Sequence, residues 1–492
     1  MNEYLERRVL EFGSERPNKL AVVCKDEVVT YSELRDKVIH VVAVLRDMGV
    51  EENDKVLLQA VVSSNYVVTY IALHIIGAVV VPMDRKAVLQ TVIDINESIS
   101  INHIIGAQKF IEKIEQGISY ETIFSFSIES ELHDICDSDV MQEYDILYTT
   151  GTTGQSKGVV STRGSVHAAI MNEIEGTNLT EEDVVLIPIP LNHSIGIGKL
   201  RAILYLGATV VLYPGVSMAM ELKKIIDKYG CTAMVSVPSA LQLVYNQAKD
   251  KMGEVLGTLR FIEVGSAPFG VELKKILMQH LPDTHILNRY GSTETPGAIY
   301  LDLKEAPSKI GSIGRPLSHT LIRVIDDNGE EMISSKDCVG YLAISGPMLM
   351  KGYYNAPDLT NEVLRDGFVV SKDLGYIDED NYVYLIGRQN NVINTGGKKV
   401  SPHEVEEYMM ESGLIKECAV FGREDANGIL GQVPVALCVL MDDGITEKEL
   451  SAYLKDKLEK YKIPVEYKFV TSLPRNYMGK IDYEKCKKHF EV

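Results

Sequence analysis

The sequence contains no tryptophan and no Cys-x-x-Cys pair, and its seven cysteines (Cys24, Cys136, Cys231, Cys338, Cys418, Cys438 and Cys486) are scattered. An odd, unpatterned set suggests neither a disulfide framework nor a zinc site and fits a reducing, cytoplasmic compartment. Positive charge is in deficit: 50 Lys and Arg against 69 Asp and Glu leave a formal net of −19. That balance repels phosphate backbones at long range, so nucleic acid is not an expected partner. The opening MNEYLERRVLEFGSERP is charged where an export signal needs a continuous apolar core, and none is expected there. Internal repeats, low-complexity tracts and Pro/Ser-rich linkers are missing too, so any domain junction is a short hinge.

What is present is a chain of 492 residues with 45% hydrophobic and 24% charged side chains. This is a globular composition, large enough for several domains and a deep cleft. One stretch, Val56 to Met83, runs without Asp, Glu, Lys or Arg and is long enough to span a bilayer. Gln59, Ser63, Ser64, Asn65, Thr69 and His74 interrupt it, and Gly77 and Pro82 divide it. It reads as a buried strand VLLQAVV, helix SNYVVTYIALHII and strand AVVVP, with no integral membrane association.

Strand-like runs (LAVVC, AVVVP, DVVLIPI, TVVLYP, AMVSVP, FIEVG, HILNRYG) alternate with helical patterns such as ELKKIIDKYG and VELKKILMQHL up to about residue 300. The alternation predicts an α/β fold of parallel sheets covered by helices. From Gly311 the texture changes to short strands and turn dipeptides (HTLIRVIDDNGEEM, VGYLAISG, GYIDEDNYVYLIGR), predicting antiparallel hairpins or a small barrel. After Arg388 comes a compact α+β pattern. It holds helix PHEVEEYMMESG, strands ECAVFG and VPVALCVL, helix TEKELSAYLKDKLEKY and strand EYKFV. The boundary falls near 387–390, giving domains 1–387 and 388–492.

The most specific feature is DILYTTGTTGQSKGVVS, residues 145–161, where a strand runs through Gly/Thr-rich steps to Lys157 and a second strand. Small residues let backbone N–H groups converge on an anion, threonine hydroxyls add donors, and the lysine adds mobile positive charge. Thr149, Thr150, Gly151, Thr152, Thr153, Gly154 and Lys157 thus form a polyphosphate cradle. It is not a Walker loop, because GTTGQSKG lacks the Gly-Lys-Ser/Thr order and GVVS reads as strand where a P-loop continues into helix.

This segment resembles the phosphate loop of the adenylate-forming superfamily of acyl- and aryl-CoA synthetases, nonribosomal adenylation domains and luciferases. The likeness runs from NKLAVV, TYSELRDKV and HIIGAVVVPMD to PRNYMGKID near the C-terminus, and its motifs are closest to those of the acyl-CoA synthetases. It implies a large N-terminal domain of two helix-covered sheets plus a small β-barrel, a small mobile C-terminal lid, and activation of a carboxylate by ATP with Mg²⁺. NRYGSTET, residues 288–295, is similar to the family's nucleotide motif. It makes Tyr290 the ring that stacks on adenine, Gly291, Ser292 and Thr293 its neighbours at the nucleotide, and Glu294 the magnesium ligand. VGSAPFG, residues 264–270, resembles the turn beside the adenine and acyl pocket, and places Ser266 at ATP and Gly265, with Gly291, at the acyl group. Asp373 stands where the family shows Thr-Gly-Asp gripping the ribose, although Ser371-Lys372 replace Thr-Gly here, and Arg388 matches a second ribose contact. Lys480, in PRNYMGKID, matches the lysine that enters the site for adenylation. A charge pair at about 4 Å in an effective dielectric near 20 is worth about 4 kcal/mol, so a well-placed cation there commands orders of magnitude in rate.

PIPLNHSIGIGKL, residues 188–200, resembles the carboxylate-site segment of acyl-CoA synthetases, with His193 as its catalytic or lining residue beside Lys157 and Lys480. No aspartate stands at Asn192-His193-Ser194 to hold an α-ammonium group, which points to an acid lacking an α-amine. In NTGGKKVSPHEVEE the resemblance assigns Gly396, Gly397 and Lys398 to the CoA path, and Asn390 occupies the hinge position. The function implied is an ATP-dependent acid–CoA ligase that works through an acyl-adenylate, releases pyrophosphate and AMP, and belongs to a setting such as fatty acid metabolism. Two alternatives stay open: loading of an acid onto the phosphopantetheine arm of an acyl carrier protein, and a non-catalytic nucleotide-binding homologue.

Overall fold

A computed structural model describes residues 4–115, 117–128, 139–150, 156–215, 218–389, 391–396, 398–425, 430–442, 444–475 and 481–490, excepting the side chains of residues 150, 156 and 399. The chain divides into two compact units. The first comprises Met1–Phe269, Leu273–Ile322 and Ile344–Val369, and the second Gly270–Glu272, Arg323–Ala343 and Val370–Val492.

In the first unit, among the described residues, nine strands form one sheet. Its order is Arg315–Pro316, Ile299–Asp302, His285–Tyr290, Phe261–Val264, Ala233–Ser236, Val184–Ile187, Thr209–Leu212, Leu20–Cys24 and Glu27–Thr30. The six central strands are parallel and antiparallel partners close both edges. Val22, Val185, Val210, Val235 and Ile262 are fully buried, as expected of parallel strands covered on both faces.

The second sheet of this unit runs Gly352–Tyr353, Ser156–Thr162, Glu143–Thr150, Val79–Asp84, Lys55–Ala60, His103–Gly106 and Ile118–Ser119. The uncharged stretch expected as strand, helix and strand is Lys55–Ala60, Ser64–Ile76 and Val79–Asp84. Ser63 caps the helix through the Asn65 N–H at 3.0 Å, and Gly77 ends it in a left-handed conformation (φ 89°). Every residue of the helix except Asn65 is buried, so apolar side chains occupy most of its surface, with Ser64, Thr69 and His74 buried among them. Among the described residues no helix is long and apolar enough to cross a membrane.

In a further sheet the strands Leu321–Ile325, Gly340–Ser345 and Phe368–Ile377 are neighbours in that order, and Val383–Arg388 pairs antiparallel with the last. A three-stranded sheet follows, Ile415–Glu424, Gln432–Leu440 and Glu466–Phe469, with the Pro402–Glu411 helix packed on it. The helix expected through residue 461 stops at Lys455. Glu459 turns extended (φ −62°, ψ 142°), and Lys462 pairs locally with Glu459 and across the fold with Glu404, each at 2.9 Å.

Candidate active site

Glu143–Thr150 and Ser156–Thr162 form an antiparallel hairpin in which Thr149 faces Lys157 across the ladder. The second strand stays extended until Thr162, whose capping box with Ser165 starts the Arg163–Thr177 helix. A Walker loop would have entered its helix directly after the lysine. Among the described residues no carboxylate pairs with Lys157. Its Nζ instead lies 5.1 Å from the ring centroid of Tyr353, on the neighbouring edge strand. The Tyr353 hydroxyl donates to Glu294 Oε1 at 2.8 Å. The lysine of one motif and the acid of another thus meet on a tyrosine that neither motif contains.

The loop carrying Glu294 begins where Tyr290 ends its strand. Ser292 Oγ accepts from the N–H of Glu294 at 3.1 Å and of Thr295 at 3.2 Å, a local turn that fixes residues 292–295. A Cβ on Gly291 would lie 2.5 Å from Thr295 O and 2.9 Å from Gly297 N, so the tight fold-back requires glycine. The Tyr290 carbonyl accepts from Ala298 N–H at 3.2 Å and closes the loop, leaving Tyr290 and Thr293 half-buried. Beside it, a Cβ on Gly265 would stand 3.1 Å from Arg289 O and 3.0 Å from Ile195 Cδ1, which puts the 264–266 turn against both the nucleotide loop and the helix after His193. Ser266 is exposed and left-handed (φ 68°), an uncommon conformation for a residue with a side chain. His193 is half-buried and extended, and its carbonyl accepts the first bond of the Ser194–Leu206 helix from Ile197 N–H at 3.0 Å.

Behind this loop lies a wholly buried group of charges in which Lys199 and Arg289, each inside a quoted motif, meet Glu173 and Glu263, which no motif contains. Lys199 Nζ contacts Glu173 Oε2 at 3.0 Å and Glu263 Oε2 at 2.7 Å, while Arg289 NH2 contacts Glu173 Oε1 at 2.6 Å and its Nε contacts Glu263 Oε1 at 3.2 Å. Tyr300 donates its hydroxyl to Glu263 at 3.2 Å. Burial favours the neutral form of Glu173, but Arg289 and Lys199 outweigh it and hold that carboxyl below the usual range. Burial and the neighbouring Glu173 push Glu263 up. Burial also disfavours charge on Lys199, yet the two acids raise it above the ordinary lysine value. Two residues further along the same helix, Arg201 ion-pairs with Asp145 in the strand leading into the phosphate hairpin, and Tyr70 donates to the same Asp145 oxygen at 2.9 Å. The Ser194–Leu206 helix is therefore tied by buried charge to the strands behind both motifs.

In the second unit Asp373 and Arg388 are directly opposite in the ladder, and Arg388 Nε donates to Asp373 Oδ1 at 3.0 Å. The Ser371-Lys372 replacement makes no turn. Residues 368–377 are one strand, with Ser371 Oγ accepting from Asp373 N–H at 3.1 Å. Gly396 is left-handed (φ 56°) at the tip between Ile393–Thr395 and Lys398–Val400, and its N–H reaches Leu430 O at 2.8 Å. Lys398 is exposed, with Nζ 4.3 Å from the Tyr461 ring centroid. Gly151, Thr152, Thr153, Gly154, Asn390, Gly397 and Lys480, with the side chain of Thr150, lie outside the described residues.

Comparison with known proteins agrees with this arrangement. Residues 9–354 match the model of the AMP-binding enzyme family, and residues 404–480 match that of the AMP-binding enzyme C-terminal domain. The chain is 27% identical over 480 residues to the 2-succinylbenzoate–CoA ligase of Bacillus mycoides, covering 94% of each chain. Among solved structures it resembles the o-succinylbenzoate CoA synthetase (MenE) of Bacillus subtilis in complex with the acyl-adenylate intermediate OSB-AMP, with a TM-score of 0.86, 25% identity, and 98% of this chain and 97% of that one covered. The same synthetase has been solved with ATP and magnesium ion (TM-score 0.85, 25% identity, coverage 96% and 98%). ATP-bound MatB of Rhodopseudomonas palustris is similar over 100% of this chain and 99% of that one, with a TM-score of 0.88 and 25% identity. With a family model spanning most of its length and sheets, hairpin and nucleotide loop in agreement, the chain belongs to the AMP-binding enzymes.

Proposed function

We propose that this chain is an AMP-forming acid–CoA ligase whose substrate is an aromatic carboxylic acid of the kind that 2-succinylbenzoate represents. The observation that carries the nucleotide chemistry is the convergence of Lys157 and Glu294, from separate motifs, on Tyr353. The aromatic substrate is supported by the names of the similar ligases and by the OSB-AMP complex of a structural relative; nothing in those names favours a fatty acid.

In this reading the substrate carboxylate attacks the α-phosphorus of ATP, pyrophosphate leaves, and the CoA thiol then attacks the acyl carbonyl as AMP leaves. The condensation is split into two displacements, with the nucleotide as activating group. Lys157 and the 149–154 loop hold the β- and γ-phosphates, and Lys480 places charge at the α-phosphate during adenylation. Glu294 fits a magnesium ligand: a carboxylate suits that hard cation, and among the described residues its Oε2 has no hydrogen-bond partner. When bound, the ion neutralises charge on the phosphate oxygens. Tyr290 stacks on adenine beside Ser266, while the paired Asp373 and Arg388 receive the ribose hydroxyls. His193, Gly265 and Gly291 line the acyl site. Residues 388–492 act as the lid, with Asn390 as hinge and Gly396, Gly397 and Lys398 along the thiol path. A cytoplasmic setting belongs to the same proposal, supported by free, buried Cys24, Cys231, Cys418, Cys438 and Cys486.

The test is a mass-spectrometric assay of thioester formation with ATP, free CoA and a panel of 2-succinylbenzoate, other aryl acids, malonate and short to long fatty acids. Thioester with an aryl acid is expected. Adenylate without CoA thioester would favour a carrier-protein acceptor, and no adenylate with any acid would favour a non-catalytic homologue.

A further inference from the structure

Tyr353 belongs to none of the sequence motifs, yet its position is heavily determined. It sits on the edge strand Gly352–Tyr353, opposite Val159 of the strand that begins beside Lys157. Lys351 N–H donates to Val160 O and Tyr354 N–H to Gly158 O, both at 2.8 Å, and Tyr353 N–H donates to Thr360 Oγ1 at 2.9 Å. The same segment grips the nucleotide loop directly, because Met350 N–H donates to Glu294 O at 3.0 Å. Backbone and side chain of Glu294 are thus both held by the stretch that pairs with the phosphate hairpin.

Resting on the reading of Glu294 as the metal ligand, we infer that Tyr353 is a positioning residue for metal-nucleotide binding: its hydroxyl orients the Glu294 carboxylate and its ring holds the Lys157 ammonium. A phenol that donates to Oε1 restricts the carboxylate rotamer and leaves Oε2 as the ligating atom. The ring face meanwhile keeps the lysine beside the hairpin by cation–π attraction. Loss of the hydroxyl should therefore weaken the metal-dependent part of nucleotide binding and leave the metal-free part intact.

The experiment compares wild type, Tyr353→Phe, Glu294→Gln and the double variant by calorimetric titration with MgATP and with ATP in EDTA, and by the Mg²⁺ dependence of pyrophosphate exchange. Tyr353→Phe keeps the ring. It should raise the half-saturating Mg²⁺ concentration about 10-fold, as expected for losing a hydrogen bond to a carboxylate, with ATP binding in EDTA unchanged. On the Glu294→Gln background it should add no further shift. A Tyr353→Phe curve that superimposes on wild type while Glu294→Gln shifts overturns the inference and leaves the reading of Glu294 standing. Weakened binding in EDTA equal to that in Mg²⁺ also overturns it. An unshifted Glu294→Gln curve overturns the ligand reading itself.

Discussion

Tyr483 donates its hydroxyl to Glu406 Oε1 at 3.0 Å, an oxygen that also accepts from Val420 N–H at 2.8 Å. This pair ties the Pro402–Glu411 helix to the segment that follows Lys480. Arg475 and Ile481 bridge each other on either side of residues 476–480, and Asp482 N–H donates to Pro474 O at 2.9 Å.

Glu406 carries a pH prediction. Burial pushes its carboxyl from 4.5 up to about 7, against the Val420 N–H, His403 and Tyr483, which pull it down. A folded value above the unfolded one means that the native state holds the proton more tightly. The resulting stability is fully present below about pH 4.5 and is lost as pH rises through about 7. Glu406→Gln keeps an acceptor oxygen without the ionisation. It should match wild type near pH 4.5 and exceed it at pH 8 by on the order of 2–3 kcal/mol. Urea midpoints measured across this range check it; parallel profiles for the two proteins would refute it.

Lys480→Ala should abolish formation of the acyl-adenylate while leaving thioester synthesis from supplied acyl-AMP largely intact. Separate assays of the two half-reactions decide this. Equal loss in both would contradict a lysine that serves one step and leaves for the other.

Removing Lys199 by Lys199→Met leaves two buried carboxylates, Glu173 and Glu263, to share the single cation Arg289, with one negative charge uncompensated. The expected cost is about 3–5 kcal/mol, read from chemical denaturation. Adding Glu263→Gln should recover part of it, since one uncompensated charge is then gone; no recovery would argue against mutual neutralisation.

Gly291→Ala forces a Cβ to within 2.5 Å of a backbone oxygen. The loop must shift, and kcat/KM for ATP should fall about 10²-fold, the usual cost of a displacement near 1 Å at a reacting site. Kinetics with ATP varied test this, and near-normal values would show that the loop position tolerates movement.

The Val- and Ile-rich runs made the parallel strands legible, because strands covered on both faces cannot alternate apolar with polar. Strand order was not legible: Leu20–Cys24 lies beside Thr209–Leu212, a neighbour chosen by packing over a long chain separation. Motifs that fold locally were visible, as in the 288–295 loop and the 145–161 hairpin. Tyr353 was not, because its role arises only when an edge strand meets the hairpin. Lys199 and Arg201 did leave a trace, two cations in the otherwise apolar helix SIGIGKLRAILYL, but their acids Glu173, Glu263 and Asp145 are spread over three other elements. Asp373 was legible as an acid, whereas its place in a strand opposite Arg388 depended on ladder register.

In the quartet of Glu173, Glu263, Lys199 and Arg289 the formal charges sum to zero. The floor beneath the nucleotide loop is stiff but electrically silent, and it adds little to the pull on an incoming anion. Affinity for nucleotide would then be adjustable through the few cations at the rim, Lys157 first among them, without loosening the foundation on which they stand.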